Sequence, residues 1–110
     1  MKLINFIYRL DTNDYDIKSI LMTLENTGII DRWAYMIHEV VKGALVPHCH
    51  VYVSQVKEKS FMAFLSKIDG GDLIGTVQKE KDILLYMMRH GKCDTANIIA
   101  NFDVEKAIFT

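Results

Sequence analysis

The spacing of apolar residues divides the first third of the chain into a strand and a helix. Residues 3–10 are rich in Ile, Phe and Tyr over a strand's length and run into the turn formers of 11–14. From Asp16 onward, apolar residues recur at helical spacing, at Ile17, Ile20, Leu21 and Leu24. Gly28 stands where a left-handed residue ends a helix. The pattern predicts one strand followed by an amphipathic helix.

Two further strands are predicted in the middle of the chain. Residues 32–41 carry aromatic and β-branched side chains, and residues 48–56 alternate between two faces. One face of this second strand carries His48, His50, Tyr52 and Ser54, and the other carries Cys49, Val51, Val53 and Gln55. Because the connection contains Gly43 and Pro47, we expect the two strands to pair antiparallel.

The second half of the chain predicts two helices separated by a short strand. Behind Ser60 the apolar residues follow helical spacing up to Gly70, at Phe61, Phe64, Leu65 and Ile68. Residues 73–78 form a strand candidate. Residues 79–90 predict a helix that stops at Gly91, with an apolar stripe at Ile83, Leu84, Met87 and Met88. The segment from Thr95 onward gives no clear pattern. The order β-α-β-β-α-β-α predicts an α+β fold, a ferredoxin-like or split βαβ antiparallel sheet with helices packed on one face.

Composition narrows the function classes. The 110 residues suit one domain, 1–110, and the net charge of −1 excludes a general basic coat for nucleic acid, so any such binding is local. No apolar run approaches the ~20 residues of a membrane span, and no signal peptide is recognisable. Cys49 and Cys93 have no CxxC partner, which agrees with a reducing compartment. We expect a cytoplasmic protein with no membrane association.

The sharpest candidate for chemistry is the triplet His48-Cys49-His50. Residues i and i+2 of a strand point the same way about 7 Å apart, so both imidazoles can converge on one ion above the sheet. An arbitrary His-x-His is more often a polar pair on the solvent side of a strand. His38 or Glu39, at the end of the preceding strand, can complete the ligand set across the ladder. Imidazole and carboxylate with open water positions suit Mn²⁺ or Mg²⁺, or adventitious Zn²⁺ or Ni²⁺, rather than a closed structural zinc site.

The second candidate is Tyr86, at the margin of the apolar stripe of the last predicted helix. There it can serve as a nucleophile, although a lone helical tyrosine is more often a boundary aromatic whose ring packs on the core. His90, one turn later, suits a cation at a helix C-terminus, a surface group or a nucleic-acid contact.

In order and spacing these features resemble the HUH endonucleases, named for His, a bulky apolar residue and His, with Cys49 here in the central position. The chain resembles in particular the catalytic domain of the replication initiator (Rep) proteins of rolling-circle plasmids that carry one catalytic tyrosine. The resemblance rests on the first strand, the His38 region, PHCHVYV at 47–53, ILLYMMRH at 83–90 and NFDVE at 101–105.

This resemblance implies a metal-dependent, sequence-specific endonuclease that nicks single-stranded DNA and transfers strands through a 5′-phosphotyrosine intermediate, as in rolling-circle replication initiation. Tyr86 would be the nucleophile, and a divalent cation, Mn²⁺ or Mg²⁺, would be held by His48 and His50 with His38 or Glu39. The single-stranded DNA, for which an origin hairpin is one candidate, would be contacted by Arg89, His90 and Lys92. Activation of the tyrosine would come from the metal or from a nearby base, and the charged neighbours are Lys79, Glu80, Lys81 and Asp82.

Two other function classes stay open at this point. The near-zero net charge, and a 40–47 loop whose only basic residue is Lys42, favour an HUH-like domain with reduced catalysis that binds nucleic acid or inhibits a host defence system. A partner-binding ferredoxin-like domain with an accidental His-x-His is the third interpretation. The exposed edge strands of a small sheet would permit a homodimer. A virus, plasmid or mobile element is the expected source, and the host cytoplasm the expected location.

Overall fold

The computed structural model describes residues 2–9, 16–38, 48–67, 71–91 and 98–109, and within them leaves the side chains of 7–9, 37–38, 48, 71–75, 77 and 89–91 undescribed. The elements in chain order are β1 (Lys2–Arg9), α1 (Ile17–Asn26), β2 (Ile30–His38), β3 (His48–Gln55), α2 (Glu58–Leu65), β4 (Gly71–Val77), α3 (Glu80–Gly91), β5 (Ile99–Ala100) and α4 (Val104–Phe109).

The strands form one sheet in the order β4-β1-β3-β2-β5, and each neighbouring pair is antiparallel. β1 and β3 are central, and the two-residue β5 pairs with Ala34 and Tyr35 of β2. The predicted α+β class and antiparallel sheet are therefore confirmed. The segment from Thr95 onward, for which the sequence predicted no element, supplies β5 and α4 within its described part.

One face of the sheet is covered by α1 and α2. Apolar side chains of β1, β2 and β3 meet those of the two helices in one core, formed by Ile4, Phe6, Trp33, Tyr35, Cys49, Val51, Val53, Ile17, Leu21, Leu24 and Phe61. α1 starts at Asp16, whose carboxylate accepts a hydrogen bond from the Ser19 amide, and ends before Gly28 at a φ of 76°. Both ends of this helix agree with the sequence prediction.

The opposite face is covered by α3 and α4, so the prediction that the helices pack on one face is wrong. The second core joins the alternate positions of β2 and β3 to these helices, through Ala34, Met36, Tyr52, Ile83, Leu84, Met87, Val104 and Ile108. The physical reason lies in β2, where Trp33-Ala34-Tyr35-Met36 is a continuous apolar run. Such a run is typical of a strand that is buried on both faces.

A β-bulge at the start of β2 brings residues 30 and 32, which would share a face in a regular strand, onto different faces. The pairing with β3 shifts register between Ile30 and Trp33. Ile30 joins the core under α1, whereas Arg32 reaches Glu80 at the start of α3. The Ser54 hydroxyl accepts the Arg32 backbone N–H at 2.7 Å, so the Ser54 side chain satisfies this amide within the irregular pairing. None of the helices in the described ranges is long and apolar enough to cross a bilayer.

Candidate active site

The structure brings His50 and Tyr86 into contact. Their ring centroids lie 5.3 Å apart with an interplanar angle of 86°, an edge-to-face arrangement. His50 comes from the central strand β3 and is only 2% exposed, whereas Tyr86 comes from α3 and is 48% exposed. The structure therefore brings together two residues that the sequence singled out on separate elements, 36 positions apart, and Tyr86 is open to solvent.

The contact exists because α3 packs on the face of the sheet opposite to α1 and α2. His50 and Tyr52 share the face of β3 that α3 covers, and α3 packs there through Ile83, Leu84 and Met87. Tyr86 lies beside this stripe, at its solvent edge, as the spacing predicted. Had α3 packed on the face of α1 and α2, the sheet would separate the tyrosine from the histidine.

Two more histidine positions adjoin His50 along the backbone. His38 of β2 is the register partner of His48 of β3, and His48 lies two residues before His50. Register partners in an antiparallel pair have Cα atoms about 4.5–5.5 Å apart, and alternation assigns all three positions to one face. The side chains of His38 and His48 are not described, and Glu39 lies outside the described residues.

The donor chemistry at these positions fits a divalent cation. Three imidazoles on two adjacent strands can surround one point, and imidazole accepts several first-row metal ions. Among the side chains that the structure describes, no group of three or more His, Cys, Asp or Glu residues forms a metal cluster. Of the predicted metal ligands, His50 is the one whose side chain the structure describes. The fit therefore rests on the strand register and on the residue types.

The predicted DNA-contact residues fall largely outside the described part. Arg89 and His90 lie in the last turns of α3, but their side chains are not described, and Lys92 follows the last described residue of that helix. Their assignment stays a prediction. Positions 89 and 90 follow Tyr86 by about one turn along the backbone of α3.

A second polar cluster fixes the start of α3. The Tyr52 hydroxyl donates a 2.6 Å hydrogen bond to Glu80 Oε2, and the Arg32 guanidinium lies 3.0 Å from Glu80 Oε1. Burial, reinforced by the hydrogen bond to Glu80, raises the pKa of Tyr52 well above its ordinary value. Both oxygens of the Glu80 carboxylate are thus engaged by residues of the sheet. We call Tyr52, Arg32 and Glu80 the α3 clamp.

The segment before α4 supports this clamp. The Asn101 side chain accepts from the Trp33 amide at 2.8 Å and donates to the Asp31 carbonyl at 2.9 Å, in the manner of a neighbouring strand. The Phe102 ring lies under the Arg32 guanidinium, and the distance from Arg32 Cζ to the ring centroid is 4.0 Å. The same ring meets the Tyr52 ring edge-on. The Asn-Phe-Asp stretch that the sequence singled out therefore has a structural role at the edge of β2.

An open groove of about 670 Å³ lies beside the clamp. It is lined by Arg32, Glu80, Phe102, Asp103, Lys106 and Ala107. The two cationic and two carboxylate side chains in this lining balance one another in formal charge. The groove therefore carries no net charge that would select an anionic or a cationic ligand.

Sequence reasoning missed the α3 clamp. Glu80 was one of four charged candidates near Tyr86, and Tyr52 was assigned to the histidine face without a role. One signal was present: Arg32 occupies the same alternate set of β2 positions as Ala34 and Met36, where a charged residue needs a partner. That the partner lies 48 residues further along the chain was not encoded in local spacing.

Comparisons with known proteins add no relative. No protein-family model matches the chain, and neither the curated proteins nor the solved structures give a match.

Proposed function

We propose that the protein is a metal-dependent endonuclease that nicks single-stranded DNA through Tyr86, with the architecture of an HUH-type domain. The observation that carries this proposal is the ring contact between His50 and Tyr86 at 5.3 Å. It unites a histidine of the His-x-His strand with the helical tyrosine predicted as nucleophile. The half-exposed Tyr86 side chain is accessible to a substrate from solvent.

His48 and His50 are the proposed ligands of Mn²⁺ or Mg²⁺, and the register partner His38 is the proposed third ligand. His38 is preferred to Glu39 because it is the register partner of His48, whereas Glu39 lies outside the described residues. When bound, the cation would act as a Lewis acid that neutralises charge on the phosphate and orients it.

Tyr86 is the proposed nucleophile in an in-line displacement at phosphorus. Its oxygen forms a bond to the phosphorus while the bond to the 3′-oxygen of the preceding nucleotide breaks. The phenolic proton passes to a base, and the leaving 3′-oxygen takes a proton from water. The products are a 5′-phosphotyrosine and a 3′-hydroxyl, so strand rejoining is the reverse reaction.

Asp82 is the proposed acceptor of the phenolic proton. It is exposed and lies four residues before Tyr86, which makes the two neighbours on the helix surface. Glu80 is less suited because both of its oxygens are engaged by Tyr52 and Arg32. The ammonium groups of Lys79 and Lys81 are donors only. Of the four charged neighbours of Tyr86, Asp82 is therefore the one best suited to act as the base.

The proposed substrate is single-stranded DNA, because an in-line attack by a helix-borne tyrosine needs a splayed backbone. Arg89, His90 and Lys92 are the proposed contacts to the strand, since they follow Tyr86 along α3 and just beyond it. With a net charge of −1 for the whole chain, affinity has to come from such local contacts.

The experiment separates metal binding from chemistry with two variants. Mn²⁺ affinity is measured by calorimetry, and cleavage is measured on a pool of end-labelled single-stranded oligonucleotides. We expect Tyr86→Phe to bind Mn²⁺ as the wild type does while cleavage is lost. We expect His50→Ala to lose Mn²⁺ binding and cleavage together. Tyr35→Phe, a substitution on the opposite sheet face, serves as the control and should change neither.

Cleavage that survives Tyr86→Phe would remove this residue as the nucleophile. A wild type that binds Mn²⁺ and oligonucleotide without cleaving any member of the pool would instead favour a binding protein on the same scaffold.

A further inference from the structure

We infer that Tyr52, Arg32 and Glu80 are positioning residues that hold Tyr86 against His50. This inference rests on the proposed function for its catalytic meaning, while its structural content stands on contacts within the folded chain. The α3 clamp joins the first residue of α3 to the sheet, and the His50–Tyr86 contact joins the same helix to the same strand further along.

The two attachment points are separated by similar distances along the strand and along the helix. Tyr52 and His50 are two residues apart on β3, which corresponds to about 7 Å on one face. Glu80 and Tyr86 are six residues apart on α3, which corresponds to about 9 Å along the helix axis. Helix α3 is therefore held on β3 at its start by a carboxylate and in its middle by an aromatic contact.

The contact at Tyr86 needs this second attachment. The apolar residues between the two points, Ile83 and Leu84, pack without direction and allow a helix to slide or rotate by small amounts. A 2.6 Å hydrogen bond and a 3.0 Å ion pair on the two oxygens of one carboxylate fix both the position and the rotation of the α3 start. The rotation of α3 decides whether Tyr86 faces His50 or solvent.

The clamp is itself built from three separate segments. Arg32 comes from the bulge of β2, Tyr52 from β3, and Phe102 supports Arg32 from the segment before α4. The Glu80 side chain is only 18% exposed, so its carboxylate depends in large part on these partners for stabilisation. Removing one partner is therefore expected to loosen the carboxylate and the helix start with it.

The test uses Tyr52→Phe, which removes only a hydroxyl, and Tyr35→Phe as the matched control that removes a hydroxyl from the other face. The first readout is the NMR cross-relaxation between the ring protons of His50 and Tyr86, in metal-free and DNA-free protein whose folding is checked by circular dichroism. We expect the cross-peak to be weakened or lost in Tyr52→Phe and unchanged in Tyr35→Phe. A merely stabilising role of Tyr52 would lower the melting temperature and leave the cross-peak of the folded protein intact.

The second readout is the kinetics of covalent attachment to an oligonucleotide with Mn²⁺. We expect Tyr52→Phe to lower the maximal rate by about tenfold or more, because small misplacements of a reacting group are costly, with the half-saturating oligonucleotide concentration unchanged. Glu80→Gln, which keeps an acceptor for Tyr52 but loses the charge for Arg32, gives the same test if Tyr52→Phe does not fold.

The outcomes distinguish this inference from the proposed function. A cross-peak that persists at full strength in the folded Tyr52→Phe and Glu80→Gln variants overturns the positioning role. A cross-peak that depends on Tyr52 in a protein without any nicking activity supports the positioning role and overturns the nickase.

Discussion

At the scale of single residues, Tyr52 combines a structural and an electrostatic role. Its ring is fully buried between the sheet and α3, and its hydroxyl is bonded to a carboxylate. Ionising this buried phenol in the folded state would place its negative charge beside the Glu80 carboxylate. This is the physical reason why the pKa of Tyr52 is raised, with burial as the larger cause.

The raised pKa of Tyr52 predicts a loss of stability at alkaline pH. In the unfolded chain the phenol releases its proton near pH 10, whereas the folded protein retains it. The protonated Tyr52 phenol therefore contributes fully to the free energy of unfolding below about pH 10. Above that pH its contribution falls by about 1.4 kcal/mol per pH unit. Urea unfolding between about pH 8 and pH 11 should show a steeper alkaline decline for the wild type than for Tyr52→Phe. Equal slopes would contradict the assignment.

At the scale of elements, the short segment 99–103 replaces a full edge strand beside β2. The two residues of β5 pair with β2, and Asn101 continues the hydrogen bonding along that strand. The side-chain oxygen of Asn101 accepts from the Trp33 amide, and the backbone N–H of Asn101 donates to the Trp33 carbonyl. This arrangement closes the edge of β2 and places Phe102 beneath Arg32. An element of two residues thereby supports the charge network of a twelve-residue helix.

Asn101→Ala is expected to destabilise the fold through this edge. The substitution leaves the partly buried backbone N–H of Trp33 without its acceptor. We expect the free energy of unfolding to fall by roughly 1–3 kcal/mol. Asn26→Ala, at the exposed end of α1, is the matched control and should change stability by less than about 0.5 kcal/mol. Urea midpoints at neutral pH give the comparison. A similar effect of both substitutions would show that the Asn101 amide is not a structural partner of β2.

The elements themselves were predictable because their signals are local. The Ile83–Met87 stripe predicted α3 and left Tyr86 at its margin, and alternation assigned His50 and Tyr52 to one face of β3. The side of the sheet on which α3 packs was not predictable from the helix, because an apolar stripe fits either face. The answer lay in the unbroken apolar run of β2, which requires cover on both sides.

At the scale of the whole molecule, the sheet separates two cores that differ in chemical character. α1 and α2 cover an apolar core on one face, while the other face carries His50, Tyr52 and the charges of the α3 clamp. The predicted site residues His50 and Tyr86 meet on this second face. Tyr52 and Glu80 are 28 residues apart in the sequence, and Arg32 and Phe102 are 70 residues apart. No spacing rule in the sequence connects such distant positions.

The central claim is that Tyr86 forms a covalent bond with DNA, and intact-mass measurement tests it most directly. The protein is incubated with Mn²⁺ and a pool of single-stranded oligonucleotides, with Tyr86→Phe in parallel, and the mass of the chain is recorded. We predict a wild-type species heavier by one oligonucleotide fragment, mapped to the peptide that carries Tyr86, and its absence in the variant. A wild type that binds Mn²⁺ and the oligonucleotides but gains no mass, or an adduct that persists in Tyr86→Phe, would contradict the claim.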